Sequence, residues 1–346
     1  MNKRLLYVSS SRNRGEYANT VEEYRKKTPW GHAQILYHLE RVGWQIQRLA
    51  FHDSWNPFVL ARVMERFSPD LIFTNGSTAL LPVWVRRWFS KWRGPIVLGW
   101  DDFYDVIWDT NFGWLPGRFM QWFEPRIVRG SDYIVTISHH NRKRADGWGK
   151  KTWYIPNGCD HPEYDVNACK ISVSGDLKLV YCGDQGLYKR TGDIVDAMAH
   201  VPAGIKLYMI GTPNPDLQRR ASGNVVFLGR LPENDKWAVI SQADVVVCTA
   251  DTDCNAKFHE YLRMKKPILA YDGIPNCLFK NGVNALLTRD YPAAILKLRE
   301  SPALRAALAA NAERDIPVYE WKEISRQYEQ AFRDIVALYN GGGLAP

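Results

Sequence analysis

The chain has 346 residues, 46% of them hydrophobic, enough apolar side chains to fill the cores of two domains of ordinary size. Its net charge of +8 sits entirely in the first half: through Asp160 there are 23 Lys and Arg against 15 Asp and Glu, and beyond it 22 against 22. No run approaches the roughly 18 uncharged apolar residues of a membrane span, and Met1 to Arg4 leads directly into an apolar strand without a signal-peptide core. The six cysteines show neither C-x-x-C pairing nor a histidine at zinc spacing. The expectation is a cytosolic protein with no disulfide and no structural metal.

Arg4 to Ser9 (RLLYVS) reads as a first strand, followed by a loop rich in hydroxyls and arginine. Pro29 to Gly43 reads as a helix with one apolar stripe of Ile35, Leu36, Leu39 and Val42, ended by Gly43. Gly31 at its start allows a ligand to approach the backbone closely. Trp44 to Ala50 gives a second strand, Phe58 to Phe67 a helix and Leu71 to Phe73 a third strand. Leu80 to Trp92 is expected as a helix, with Trp84, Trp88 and Trp92 at four-residue spacing among Arg86, Arg87, Lys91 and Arg93. Twelve of the fourteen tryptophans lie before Asp160. That mixture suits an anionic bilayer surface, a tryptophan stripe packed into a core, or a nucleic-acid-binding patch. Ile96 to Gly99 is a fourth strand, and Asp101 and Asp102 follow it, where a capped turn is one use for them.

His161 to Asp176 has low hydrophobicity and no period and reads as a linker between domains spanning 1–160 and 177–317. The second domain opens with a strand at Lys178 to Cys182 and then GDQGLYKRTG before a helix from Asp193. Gly183 and Gly186 permit tight turns there, while Lys189 and Arg190 either face a diphosphate at a helix start or form a solvated loop tip. Strands follow at Lys206 to Gly211 and Val225 to Gly229, with a helix at Leu231 to Gln242. Val245 to Val247 is a β-branched run of the kind a buried parallel strand needs. A polar loop runs from Thr249 to Asn255, then a helix from Ala256 to Lys265 ended by Pro267, then a strand from Ile268 to Ala270. Open α/β sheets bind nucleotides at such a loop, where a strand's carboxyl end meets a helix's amino end. Glu260, one turn inside that helix with Lys257 three residues before it, can accept ribose hydroxyls; an ordinary amphipathic helix with one surface glutamate is the alternative.

Several of these stretches resemble retaining glycosyltransferases of the GT-B fold, particularly glycosyltransferase family 4. The family's K-x-x-E-Y-L/M-x-x-x-x-P-[VI] pattern is matched by Lys257, Glu260, Tyr261, Leu262, Pro267 and Ile268. Ser131 to Ser138 (SDYIVTIS) and Tyr154 to Asp160 (YIPNGCD) are similar to the family's segments where the chain leaves its first domain. Gly31, Leu39 and Gly43 fit its first loop and helix, and Trp321, Tyr328 and Tyr339 its terminal helix, which makes 318–346 a segment crossing back to the first domain. Two positions depart from the pattern: Thr252 stands where many members carry a second glutamate, between Asp251 and Asp253, and Asp184 where they carry an arginine.

The resemblance implies two doubly wound Rossmann-like domains facing each other across a cleft, an acceptor-binding one first and a nucleotide-sugar-binding one second. It implies transfer with retention from a nucleoside-diphosphate sugar, UDP- or GDP-linked, to a lipid-linked or cell-surface glycan, without a metal or further cofactor. Lys189, Arg190, Asp102 and Asp253 are the candidate catalytic residues. Gly31, Asp101, Gly183, Asn255, Lys257 and Glu260 are the candidate substrate-binding ones. Asp251-Thr252-Asp253 also spells a D-x-D metal motif, which the neighbouring lysine-bearing helix start disfavours. The expected partners are the donor, the glycan or lipid-linked acceptor and an anionic membrane surface, with nucleic acid or a soluble small molecule as other acceptors. A nucleotide-sugar binder without transfer activity is the non-enzymatic alternative.

Overall fold

The computed structural model describes residues 3–8, 20–27, 31–49, 53, 55–75, 80–101, 108–110, 112–253, 256–273, 278–315 and 319–341. The chain divides into two compact units, Met1–Gly158 with Glu320–Pro346, and Cys159–Tyr319.

The first unit carries a fully parallel six-stranded sheet: β1 (Arg4–Val8), β2 (Gln45–Leu49), β3 (Leu71–Asn75), β4 (Ile96–Trp100), β5 (Tyr133–Thr136) and β6 (Thr152–Tyr154), in the order β2-β1-β3-β4-β5-β6. Alternation splits each strand between two cores. Leu5 and Tyr7 share a core with α1 (Val21–Lys27), α2 (His32–Arg41) and the long terminal helix, while Leu6 and Val8 face α3 (Pro57–Phe67) and α4 (Leu80–Trp88). The terminal helix Trp321–Asn340 buries Trp321, Tyr328, Phe332 and Ile335 in this unit. Gly158 has no room for a side chain, because a Cβ there would lie 2.6 Å from the Trp321 ring. Helix α2 ends in a Schellman motif, with Trp44 N–H donating to Leu39 C=O (3.1 Å) and Gly43 N–H to Glu40 C=O (3.0 Å), Gly43 lying at φ 91°.

Two sequence expectations change here. Helix α4 stops at Trp88, so Trp92 is not on its face: Ser90 Oγ accepts from Trp92 N–H (3.1 Å), and the Trp92 indole donates to Pro69 C=O (2.7 Å) against the core. A side-chain acceptor of this kind competes with the helical ladder and ends it. Trp84 and Trp88 stay on the helix and are exposed, which removes the reading of a tryptophan stripe buried in the core. The structure also adds helices α5 (Trp114–Gly130) and α6 (His139–Gly147), which the sequence reading passes over. Pro116, Gly117 and Pro125 hide the period of the first, and the second carries almost no apolar residue.

The second unit has a parallel sheet in the order β12-β11-β10-β7-β8-β9, comprising β7 (Leu177–Cys182), β8 (Ile205–Ile210), β9 (Val225–Gly229), β10 (Val245–Cys248), β11 (Ile268–Tyr271) and β12 (Leu286–Thr288). Helices α7 (Thr191–Ala197), α8 (Pro215–Arg220), α9 (Glu233–Ser241), α10 (Ala256–Arg263), α11 (Tyr291–Glu300) and α12 (Pro302–Asp315) cover its faces, and α13 is the terminal helix of the first unit. The stretch 161–176, expected as a linker, is held on this unit by its backbone: Asp165 N–H donates to Asn234 Oδ1 (2.7 Å) and Ser174 N–H to the Tyr208 hydroxyl (2.8 Å), with Val173 in the core. Few apolar residues are needed when side chains of the body satisfy the peptide groups.

Candidate active site

In the second unit the chain leaves β7 toward β8 and β9 on one side and returns to β10, β11 and β12 on the other, so the strand order reverses between β7 and β10. The carboxyl ends of the strands at such a reversal are where open α/β sheets bind ligands. Two loops lie there, Gly183 to Arg190 after β7 and Thr249 to Asp253 after β10. Thr249, fully buried, donates its hydroxyl to Lys189 C=O and ties the loops together. Beneath them the Tyr261 hydroxyl accepts from Cys182 N–H (3.0 Å) and donates to Val247 C=O (3.4 Å). Helix α10 is thereby fixed against the ends of both strands.

Charge gathers on this frame. Lys257 Nζ lies 2.7 Å from Glu260 Oε2, each side chain about a quarter exposed. Burial by itself lowers the Lys257 pKa, but Glu260 outweighs it and the net shift is upward, so the ammonium stays charged. Burial pushes the Cys248 thiol up to about 12, against the pull of Lys189 and Lys257 and with a further push from Glu260. The Lys189 carbonyl is tied to Thr249 at the end of β10, and the Lys257–Glu260 pair sits on the helix that follows it. Glu233 on α9 adds a second carboxylate nearby, accepting from Lys236 Nζ (2.7 Å) and the Trp237 indole (3.1 Å).

The other expected residues take different positions. Gly183 N–H donates to Ile210 C=O (2.9 Å), and its own carbonyl lies so close to Gly211 that a Cβ on Gly211 would meet it at 1.9 Å. Arg190, at φ 52°, turns onto Asp193 (2.6 Å) and the Tyr271 ring (4.1 Å), with Asp251 close enough to contribute to its raised pKa. Asp253 is 1% exposed, and Asp251 packs against Gly273. Asp184, at the family's arginine position, is turned into its own loop, accepting from Gly186 N–H (3.2 Å) and the Tyr188 hydroxyl (2.9 Å). Asn255 lies outside the described residues.

The first unit has its own polar group at the carboxyl ends of β1, β3 and β4. His32, 9% exposed, places Nδ1 3.2 Å from the Tyr7 hydroxyl and Nε2 3.4 Å from Asp101 Oδ2. Gly31 caps the same helix at φ 60°, with open space where a Cβ would stand. Burial raises the Asp101 pKa and His32 draws it back down. The second carboxylate oxygen, Oδ1, is buried with no hydrogen-bond partner among the described residues. Asp102 is not among them.

Residues 12–162 match the sequence model of Glycosyltransferase Family 4. Sucrose-phosphate synthase from Thermosynechococcus elongatus superposes with a TM-score of 0.74 at 16% identity, over 97% of this chain and 99% of that one. HepE from Anabaena in complex with UDP-glucose gives 0.65 at 17% identity, over 96% and 99%. The fold is GT-B, and the first 162 residues carry a stretch similar to glycosyltransferase family 4. The lipopolysaccharide outer core galactosyltransferase WaaB shares the GT-B architecture with a TM-score of 0.61 at 13% identity, over 96% and 99%. A search of curated protein sequences finds no match.

The sequence names Lys189, Lys257 and Glu260 as candidates and gives no site role to Tyr261, Thr249, Glu233, His32 or Tyr7. Tyr261 is read only as a family match, and its hydroxyl's bridge joins residues 79 and 14 positions away in sequence. Thr249 and the contacts of His32 with Tyr7 and with the expected Asp101 likewise join distant segments, which no local pattern carries.

Proposed function

We propose that the protein is a retaining glycosyltransferase that moves a sugar from a UDP- or GDP-linked donor to a hydroxyl of a lipid-linked or cell-surface glycan. The observation that carries this reading is the pair of loops after β7 and β10, tied by the Thr249 hydroxyl to Lys189 C=O at the reversal of a parallel sheet, with the Lys257–Glu260 pair on the helix that follows. In the proposed step the bond between the anomeric carbon and the diphosphate oxygen breaks, and the acceptor oxygen bonds to the same face of that carbon. The acceptor's proton passes to the departing phosphate.

Negative charge grows on the diphosphate as the sugar becomes oxocarbenium-like, so fixed cations and amides at the leaving group lower the barrier. Lys189 and Arg190 are assigned to that charge, and Gly183 with the N–H groups of its loop to the phosphate oxygens. Glu260, oriented by Lys257, is assigned to the ribose hydroxyls. Asp253, Asn255 and Asp102 are assigned to orienting sugar or acceptor, and Asp101 with Gly31 to the acceptor side. The lysine-bearing helix start beside Asp251 and Asp253 favours a reaction without a divalent ion. The basic, tryptophan-rich first unit supports an acceptor at the inner face of the cytoplasmic membrane, with the enzyme cytoplasmic and peripheral. Among the described residues no helix is long and apolar enough to cross a membrane.

The test is incubation with a panel of UDP-, GDP- and ADP-sugars, following nucleoside diphosphate release, with Lys189→Ala and Glu260→Ala as controls. Release from one donor class, lost in Lys189→Ala and restored in Glu260→Ala only at raised donor concentration, is the expected result. Saturable thermal stabilisation with no release from any donor would instead identify a nucleotide-sugar binder that has lost transfer.

A further inference from the structure

On the first unit, α4 and α5 pack over the sheet face opposite the terminal helix and leave a groove of about 710 Å3 between them. Trp55, Trp84, Trp88, Trp108, Phe119 and Phe123 give it an apolar lining. Several of these rings are open to solvent, Trp88 being 65% exposed and Phe119 50%. Single exposed hydrophobics are ordinary, but a contiguous aromatic patch of this kind marks an interaction surface.

A second cavity, of about 400 Å3, adjoins the groove and shares Val83 and Arg87 with it. It gathers Arg86, Arg87, Arg93, Arg129 and Lys150 around one carboxylate, Asp132. Asp132 is taken by Arg86 (3.0 Å to Oδ1) and by Ile96 N–H (2.8 Å), while Arg93 and Lys150 donate to backbone carbonyls. Arg87 and Arg129 have no carboxylate partner among the described residues; they stack on Trp88 (5.1 Å) and Trp148 (5.8 Å). Burial and the nearby Arg86 lower the Lys150 pKa, although Asp132 counters them. The crowding is what an unmet anion would relieve.

Ser131, Asp132 and Lys150 precede β5 and β6, so this basic cavity lies at the amino edge of the sheet, away from Asp101 at the carboxyl edge. It is therefore placed apart from the acceptor's reacting hydroxyl. We propose that this face binds an anionic phospholipid of the bilayer, its phosphate in the arginine-lysine cavity and an acyl chain along the tryptophan groove. Charge complementarity selects the headgroup, and the shared wall at Val83 and Arg87 sets phosphate and chain side by side, as they are in one lipid. The inference rests on the reading that the acceptor is membrane-borne, and it adds where the bilayer is touched.

The experiment uses the full chain, without nucleotide sugar, and vesicles of phosphatidylcholine alone or mixed with phosphatidylglycerol, their acyl chains brominated. Flotation with the mixed vesicles only, together with quenching of tryptophan fluorescence by the brominated chains, is expected. Arg87→Gln with Arg129→Gln should weaken partitioning about tenfold or more. Trp84→Ser with Trp88→Ser should remove much of the quenching, melting temperatures showing that both variants fold. Equal flotation on neutral vesicles, anionic binding without quenching, or partitioning unchanged by the arginine pair would overturn the proposal; the wild-type quenching arm decides it even where a variant fails to fold. Donor hydrolysis measured separately, without vesicles, reports on the transferase reading alone.

Discussion

The Tyr261 hydroxyl holds the ends of β7 and β10 together, accepting from one and donating to the other inside a fully buried site. Tyr261→Phe leaves the Cys182 N–H and the Val247 carbonyl without that partner, and a stability loss of about 1–3 kcal/mol is expected in urea titration. At the proposed donor site, Lys189→Ala is expected to lower kcat by about 10²–10³, the range seen when one stabiliser of developing charge is removed. Glu260→Ala should act chiefly on donor KM, because a ribose contact is the same in ground and transition states. His259, buried against the Phe258 and Tyr319 rings, has its pKa lowered to about 3 by burial. The folded form then stays neutral while the unfolded chain takes up a proton below its ordinary value, so stability is lost as pH falls. Between about pH 7.5 and 5 the loss is about 2 kcal/mol, and His259→Leu should remove that part of the pH dependence in paired melting curves. The lysine and glutamate of α10 are legible in the sequence because their spacing on one helix is local. The burial of Asp253 beside the half-exposed Asp251 is not, since a loop has no period to assign faces.

Elements repeat that division between local and distant causes. Helix α2 could be read with its end, because the stripe and Gly43 are adjacent signals that the Schellman bonds then realise. Helix α5 could not: Pro125 sits inside it, and its hold on the sheet comes from buried Glu124, which accepts from the Trp100 indole (3.0 Å) and pairs with Arg144 (2.5 Å). The most demanding join between elements is at the ends of β7 and β8, where Gly211 abuts the Gly183 carbonyl. Gly211→Ala has no flexible side chain to displace, only the backbone of the phosphate-side loop. A loss of about 1–3 kcal/mol is expected in chemical denaturation, accompanied by weaker UDP or GDP binding in titration calorimetry. Unchanged nucleotide affinity in a destabilised variant would separate that loop from the donor.

Across the whole molecule the excess positive charge and most tryptophans lie in the half that forms the first unit, while the proposed donor site lies in the second. The two parallel sheets were legible from alternating strands and helices. The membership of 161–176 in the second unit was not, because peptide hydrogen bonds rather than apolar residues hold it. Attraction of the basic unit to an anionic surface is screened by salt, so partitioning onto anionic vesicles should fall as ionic strength rises through the range where the Debye length drops from about 10 to 3 Å. Persistence at high salt would assign the contact to the aromatic groove alone. A second unit that grips the donor's diphosphate at the ends of β7 and β10 will show, in hydrogen–deuterium exchange with saturating UDP or GDP, protection concentrated in residues 183–192 and 249–263. Unchanged exchange in both segments would place the diphosphate elsewhere.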